Sequence, residues 1–435
     1  MPHNSLVRPA APCKTILSSR MTTLQLAVQF LFQIAIILTI CQIVGAIGER
    51  FGQPQVVGEM IAGVLIGPSV FGLFWPGLSA HLFPPDSMKV LFPLSQLGLA
   101  AYMFVVGLEF RMDIVSRRLH NAVAVSIAGM AAPFVLGALL GWFFHAHTAL
   151  FRERTSLPEA MIFLGASMCI TAFPMLARII HFKKLAGTTM GTVALGAGAI
   201  NDAAAWCLLA VVLASFDGNF TVAARNIGSG IAYVAFTFLV LRPLLQRWSR
   251  GIEKRGALSD REYVIALILM AAGAWLTDAV GLHAVFGAFV MGAAMPRGVV
   301  AQGIIERTQP LTVALLLPLF FTYSGLNTQI ALLDSAYLWL MALLVLLAAV
   351  VGKGVACWLA ARATGISNRE ALGIGTLMNA RGLMELIIIN IGLQRGIISP
   401  GLFAALVIMA VITTLMASPI FDRLMRRPGA EMALT

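Results

Sequence analysis

Residues 188–214 read TTMGTVALGAGAINDAAAWCLLAVVLA, and Asp202 is the only charge in the run. A stretch of this length and apolarity suits a helix across the ~30 Å hydrocarbon core of a bilayer. Apart from Leu195, Ile200, Asn201 and Asp202, residues 195–205 are all Gly or Ala, which leaves free volume around a carboxylate at mid-membrane. An intramembrane charge is costly to insert, about 2.5–3.5 kcal/mol or more, and marks a functional site by default.

The surrounding chain has the same character. Of 435 residues, 59% are hydrophobic and 11% charged, against roughly 45–50% and ~25% in soluble domains. A water-soluble enzyme could not cover that apolar surface, and a disordered chain would not carry it. Long apolar runs fall at 24–46, 56–72, 90–108, 121–145, 158–178, 188–214, 226–243, 262–279, 283–304, 309–330, 334–361, 369–393 and 402–424. The expected class is therefore an all-α polytopic membrane protein of about 13 transmembrane helices. Residues 1–23 read as a polar tail without a signal peptide, 24–425 as the transmembrane domain, and 426–435 as a short tail. Of the five cysteines, Cys13, Cys41, Cys169, Cys207 and Cys357, none forms a Cys-x-x-Cys pair, so neither a disulfide framework nor a metal site is expected.

The net charge of +11 is sorted across the membrane rather than gathered in an arm for nucleic acid. Assigning the Lys and Arg of the loops and of the adjoining span ends to their nearer face, 20 lie on the C-terminal face and 8 on the N-terminal face. The positive-inside rule places the N-terminus outside and the C-terminus in the cytoplasm.

The chain also repeats itself. VVGEMIAGVLIGP (Gly58, Gly63, Pro68) is echoed by AVFGAFVMGAAMP (Gly287, Gly292, Pro296), and Gly107-Leu108 by Gly325-Leu326. EAMIFLGASM from Glu159 is echoed by EALGIGTLM from Glu370. Each match lies seven spans on, and seven is odd, so the second copy is inserted upside-down: repeat one is 24–214, a linker helix is 226–243, and repeat two is 262–424. Inverted repeats with interrupted helices are a mark of secondary transporters, whose sites lie near midplane. The interruptions expected here are at Pro174 in SMCITAFPMLAR, which lacks an N–H, and at Asn379-Ala380-Arg381-Gly382. Thr171 is placed to re-satisfy the opened backbone.

Asp202 in this setting can hold a proton or a monovalent cation, and Asn201 offers an amide oxygen as a further ligand. Lys353, deep in VVGKGVACWLAAR, has two readings: a charge partner for the Asp202 helix when the site is empty, or a static charge at helix ends. Arg381 and Glu385, spaced i,i+4, read as a structural ion pair. Glu59 and Glu109 near span ends read as interfacial, His145 and His147 as loop residues with a faint suggestion of metal, and Asp278 and His283 as an external turn.

SMCITAFPMLAR, AINDAAAW, GLHAVFGAFVMGAAMPRG, LPLFFTYSGLNT and NARGLMELIIINIG together resemble the monovalent cation:proton antiporters, in particular their second group, which holds plant cation/proton exchangers and bacterial glutathione-gated potassium efflux proteins. The likeness extends over about residues 24–424. It implies a core domain (spans 4–6 and 11–13), a dimerisation domain (spans 1–3 and 8–10), crossing discontinuous helices at midplane, and elevator-like exchange of Na⁺ or K⁺ for H⁺ by a homodimer. It implies no cofactor, no resident metal and no nucleic-acid partner; the partners are the ions, membrane lipid and a second copy, in a bacterial inner membrane. Asp202 falls on the ion-binding aspartate. Asn201 stands where electrogenic members have a first Asp, and Lys353 falls on the lysine that pairs with that Asp, so here the lysine has lost its partner. A cation channel of the same family is a rival reading, and an intramembrane enzyme a remoter one; paired catalytic acids, a Ser/His set or a metal cluster would mark the latter, and the spans carry none.

Overall fold

Inside lipid a backbone N–H or C=O finds no water, so apolar segments pair their own backbone as helices. The computed structural model describes residues 22–110, 118–217, 220–326 and 335–425. The expected tail before residue 22 with Cys13, and the tail from 426, lie outside the described residues. Besides two short helices at Phe71–Phe74 and Pro76–Leu82, the helices are α1 Thr23–Arg50, α2 Gln55–Ile66, α3 Pro85–Glu109, α4 Leu119–His147, α5 Leu157–Cys169, α6 Phe173–Phe182, α7 Thr189–Asp217, α8 Phe220–Phe236, α9 Arg242–Arg255, α10 Asp260–Ala279, α11 Ala284–Ala294, α12 Val299–Leu311, α13 Leu317–Leu326, α14 Ala336–Ala363, α15 Asn368–Leu377, α16 Leu383–Gln394 and α17 Pro400–Met425. Single π-turns at Thr237–Leu241 and Thr312–Leu316 join α8 to α9 and α12 to α13. Among the described residues nine helical segments are long and apolar enough to cross a membrane unaided. Among the described residues the helices α5/α6 and α15/α16, each pair taken as one broken crossing, with α7 and α11, account for the other four of the thirteen expected. The only β contact among the described residues is a bridge between Phe151 and Ile398.

Two boundaries differ from the sequence reading. The run 283–304 is helical only as far as Ala294. Pro296 cannot continue the ladder and Gly298 turns the chain at φ 76°, so the next crossing begins at Val299 instead of 309; its expected end at 330 lies outside the described residues. The linker helix likewise overruns 226–243, continuing into the amphipathic α9.

The repeat is visible in the packing. Helices α4–α7 pack with α14–α17, and α1–α3 with α10–α13. A Cβ at Gly58 would lie 2.5 Å from Gly45 Cα on α1, and one at Gly287 would lie 2.1 Å from Gly273 O on α10. A Cβ at Gly63 would stand 2.5 Å from the Phe321 carbonyl oxygen, and one at Gly292 would overlap the Phe104 carbonyl oxygen. Gly165 meets Gly137 on α4 as Gly375 meets Gly354 on α14. Each contact has its counterpart seven spans on. Small residues let membrane helices approach to backbone contact, where van der Waals packing replaces the missing hydrophobic drive.

Candidate ion-binding site

The two interrupted crossings meet. Helix α5 ends at Cys169, and Ile170 and Ala172 are extended (ψ 144° and 91°). Pro174 therefore sits in the first turn of α6, where its missing N–H costs nothing. Its mate breaks between Leu377 and Leu383. The Ala172 N–H donates to Ala380 O at 3.3 Å, tying one break to the other. Gly382 is extended (φ 177°) and needs no glycine for its backbone. It is small because a Cβ there would stand 3.0 Å from Ala172 Cβ and 3.2 Å from Met175 Cγ.

Asn201 and Asp202 on α7 lie behind this crossing, 0% and 4% exposed. Asn201 Nδ2 donates to Thr171 Oγ1 at 3.2 Å, while Ser126 Oγ on α4 donates to Asn201 Oδ1 at 2.5 Å. Two expectations change here. The Thr171 hydroxyl binds Asn201, not the opened backbone, and the Asn201 amide oxygen is turned to Ser126. Asp202 Oδ1 has no hydrogen-bond partner among the described residues, so this buried carboxylate keeps a free acceptor, the group a proton or a hard cation would satisfy.

Lys353, fully buried on α14, donates from Nζ to Cys169 O at 2.5 Å. That carbonyl belongs to the last residue of α5, where the unpaired C=O groups carry the negative end of the helix dipole. In this structure Lys353 caps the carbonyl end of α5. Arg381 Nη1 meets Glu385 Oε1 at 3.3 Å with both side chains buried. Arg381 Nη2 reaches Ala349 O at 3.4 Å, and the Arg381 backbone is clasped by Thr414, whose Oγ1 accepts from its N–H and donates to its C=O. The pair thus anchors the second break to α14 and α17. Among the described residues no three His, Cys, Asp or Glu side chains converge as metal ligands.

The chain matches the family described as the transmembrane region of sodium/hydrogen exchangers over residues 35–427. It belongs to the sodium/hydrogen exchanger family. It is 38% identical over 401 residues to the "Na(+)/H(+) antiporter NhaS4" of Synechocystis sp., covering 92% of this exchanger and 98% of that protein. It is 35% identical to "Cation/H(+) antiporter 17" of Arabidopsis thaliana over 90% of this chain, and spans 47% of that protein's length. The sodium proton antiporter MjNhaP1 of Methanocaldococcus jannaschii shares the fold, with TM-score 0.62 at 16% identity over 91% of this chain and 96% of the other. The exchanger is an integral multi-pass membrane protein.

A cavity of about 100 Å³ on the C-terminal face of the exchanger runs between α3 and α6, from Glu109 and His181 at the rim to Phe173 beside the first break. His181 Nε2 lies 3.1 Å from Glu109 Oε2; this hydrogen bond raises the rim histidine's pKa above its ordinary value of 6.5. Glu59, read from sequence as interfacial, is fully buried and pairs with Arg178 on α6 at 3.3 Å. His145 and His147 occupy the last turn of α4 and bind the Thr155 and Phe143 carbonyls separately. Asp278 accepts from the Ala284 N–H at the turn into α11.

Ser126 and the Glu59–Arg178 pair are what the sequence reading missed. A signal for Ser126 was present. The buried residues of α4 are Ala122, Val125, Ser126, Gly129, Pro133, Gly137, Gly141 and Phe144, mostly small, and Ser126 is the only one of them whose side chain carries a hydrogen-bonding group.

Proposed function

We propose that this chain exchanges a monovalent cation, Na⁺ or K⁺, for H⁺ by alternating access, with Asp202 carrying cation and proton in turn. The observation that carries this reading is the buried Asp202 carboxylate with a free oxygen, set behind two broken helices tied together at Ala172 and Ala380. Backbone carbonyls released at such breaks, with one carboxylate, make a ligand set suited to a small hard cation. The relatives, a Na⁺/H⁺ antiporter and a cation/H⁺ antiporter, support the substrate class. Asn201 cannot titrate and Lys353 is engaged by Cys169 O, so one carboxylate serves one charge and the exchange is one cation per proton.

We extend the reading to topology and assembly. The 20 to 8 distribution of Lys and Arg supports a cytoplasmic C-terminus, in a bacterial inner membrane, and the family resemblance supports a homodimer. On the same resemblance, the α4–α7/α14–α17 bundle is the moving core and the α1–α3/α10–α13 bundle its static partner.

The test is reconstitution in liposomes with an entrapped pH dye. Added Na⁺ or K⁺ should dissipate an imposed pH gradient, the rate should not respond to membrane voltage, and Asp202→Asn should abolish it. Wild-type-like proton flux in Asp202→Asn would exclude this mechanism.

A further inference from the structure

We propose that Ser126 is a positioning residue for transport: through Asn201 it decides which atoms of the broken-helix site face the cation. The proposal rests on the reading of Asp202 given above and goes beyond it.

The side-chain amide of Asn201 has two unlike ends. Its oxygen would ligate a cation, and its NH₂ group would repel one. Beside a carboxylate that binds ions, the orientation of that amide therefore sets how many oxygens the ion meets. Two neighbours fix it. Ser126 Oγ donates to Oδ1 at 2.5 Å, so the oxygen points at α4, and Nδ2 donates to Thr171 Oγ1 at 3.2 Å, so the donor end points at the break. All three residues are buried, with Ser126 1% exposed and the others 0%. No water is needed to explain the chain Ser126–Asn201–Thr171, which links α4, α7 and the first break.

The hydroxyl of a helical serine ordinarily returns its proton to a carbonyl in the preceding turn. Ser126 sends it across to α7 instead, so the bond is directed rather than a default. The space around it is also closed. A Cβ at Gly129, one turn on, would lie 2.5 Å from Cys357 Sγ and 3.9 Å from Asn201 Nδ2. With the amide oxygen turned to Ser126 on α4, the side-chain oxygens that this cluster still presents at the break, among the described residues, are those of Asp202 and Thr171. Ser126 thereby holds back one oxygen ligand and keeps the cation from outcompeting the proton on Asp202.

Removing the hydroxyl strands Oδ1 as a buried acceptor without a donor, and the bound cation becomes its best partner. Ser126→Ala should lower the apparent KM for the cation by about threefold or more at fixed pH and change the ratio of the Na⁺ and K⁺ values. Ser126→Thr, which keeps the hydroxyl, should retain wild-type KM. A simple helix clamp would instead lower kcat and heat stability equally for both ions. Ser126→Cys, which keeps the shape with a weaker donor, replaces Ser126→Ala if that variant does not fold. Cation-induced thermal stabilisation in detergent reads binding without turnover, and should reach half-maximum at a lower Na⁺ concentration in Ser126→Ala. An unchanged or raised KM, or a loss confined to kcat, overturns the proposal. Asp202→Asn run in parallel separates the two claims. If it transports normally the site reading fails, and if it is dead while Ser126→Ala matches wild type only the role of Ser126 fails.

Discussion

The Arg381–Glu385 pair allows a quantitative test of the structural role assigned to it. Both side chains are out of reach of solvent, and one contact of 3.3 Å joins them. At an effective dielectric of 20 that separation gives an attraction of about 5 kcal/mol, against a desolvation penalty of several kcal/mol for each ion. Compensation is incomplete, because Arg381 Nε and Glu385 Oε2 have no partner among the described residues. Glu385→Leu leaves the guanidinium, among the described residues, with the Ala349 carbonyl at 3.4 Å, and should cost about 3–5 kcal/mol. In a chain of this length that lowers the apparent Tm by roughly 5 °C. Arg381→Met combined with Glu385→Leu removes both charges, and should return to within about 1 kcal/mol of wild type. The assay is thermal unfolding in detergent at one scan rate, followed by size-exclusion chromatography of the surviving fraction. If the double variant falls as far as Glu385→Leu, the pair is not a self-contained structural unit and the reasoning fails.

Gly292→Ala places a methyl group 2.2 Å from the Phe104 carbonyl and should abolish the monodisperse peak in fluorescence-detected chromatography, whereas Gly251→Ala on α9, with nothing within 4 Å, should leave it intact. At the rim, Glu109 raises the pKa of His181 from 6.5, so the stability their pairing adds is complete below pH 6.5 and fades as pH rises through the raised value. Because both side chains are partly exposed, Glu109→Gln should lower the apparent Tm by only about 1 °C at pH 5.5 and leave it unchanged at pH 9.

How much of this was legible in the sequence depends on the kind of signal each feature leaves. Span lengths, the inverted order of Gly63 and Gly292, and the breaks at Pro174 and Asn379–Gly382 were readable because insertion into lipid constrains every residue of a span. Gly298 was not read as the end of its span, since glycine is common in membrane helices and only its positive φ identifies the turn. Glu59 was misplaced because position in a run gives depth but not direction, and its partner Arg178 is more than 100 residues away. The signal for Ser126, one hydroxyl among the small residues of α4, is weak because a lone hydroxyl on an apolar helix can satisfy itself on its own backbone. The orientation of the Asn201 amide is a property of its two neighbours and appears in no local pattern.

The backbone contacts of Gly63 with Phe321 and of Gly325 with Gly63 also set a timetable for biogenesis. More than 250 residues separate the two partners, roughly 13 to 50 seconds of synthesis at 5–20 residues per second. Through that interval α2 sits in the membrane with its glycine face and the Glu59 carboxylate uncovered, and Arg178 reaches it before α13 does. The nascent chain therefore needs a shelter for that face, at the insertion machinery or against lipid headgroups, until the second half arrives. Destabilising changes on α2 should accordingly be felt first as degradation of unfinished chains.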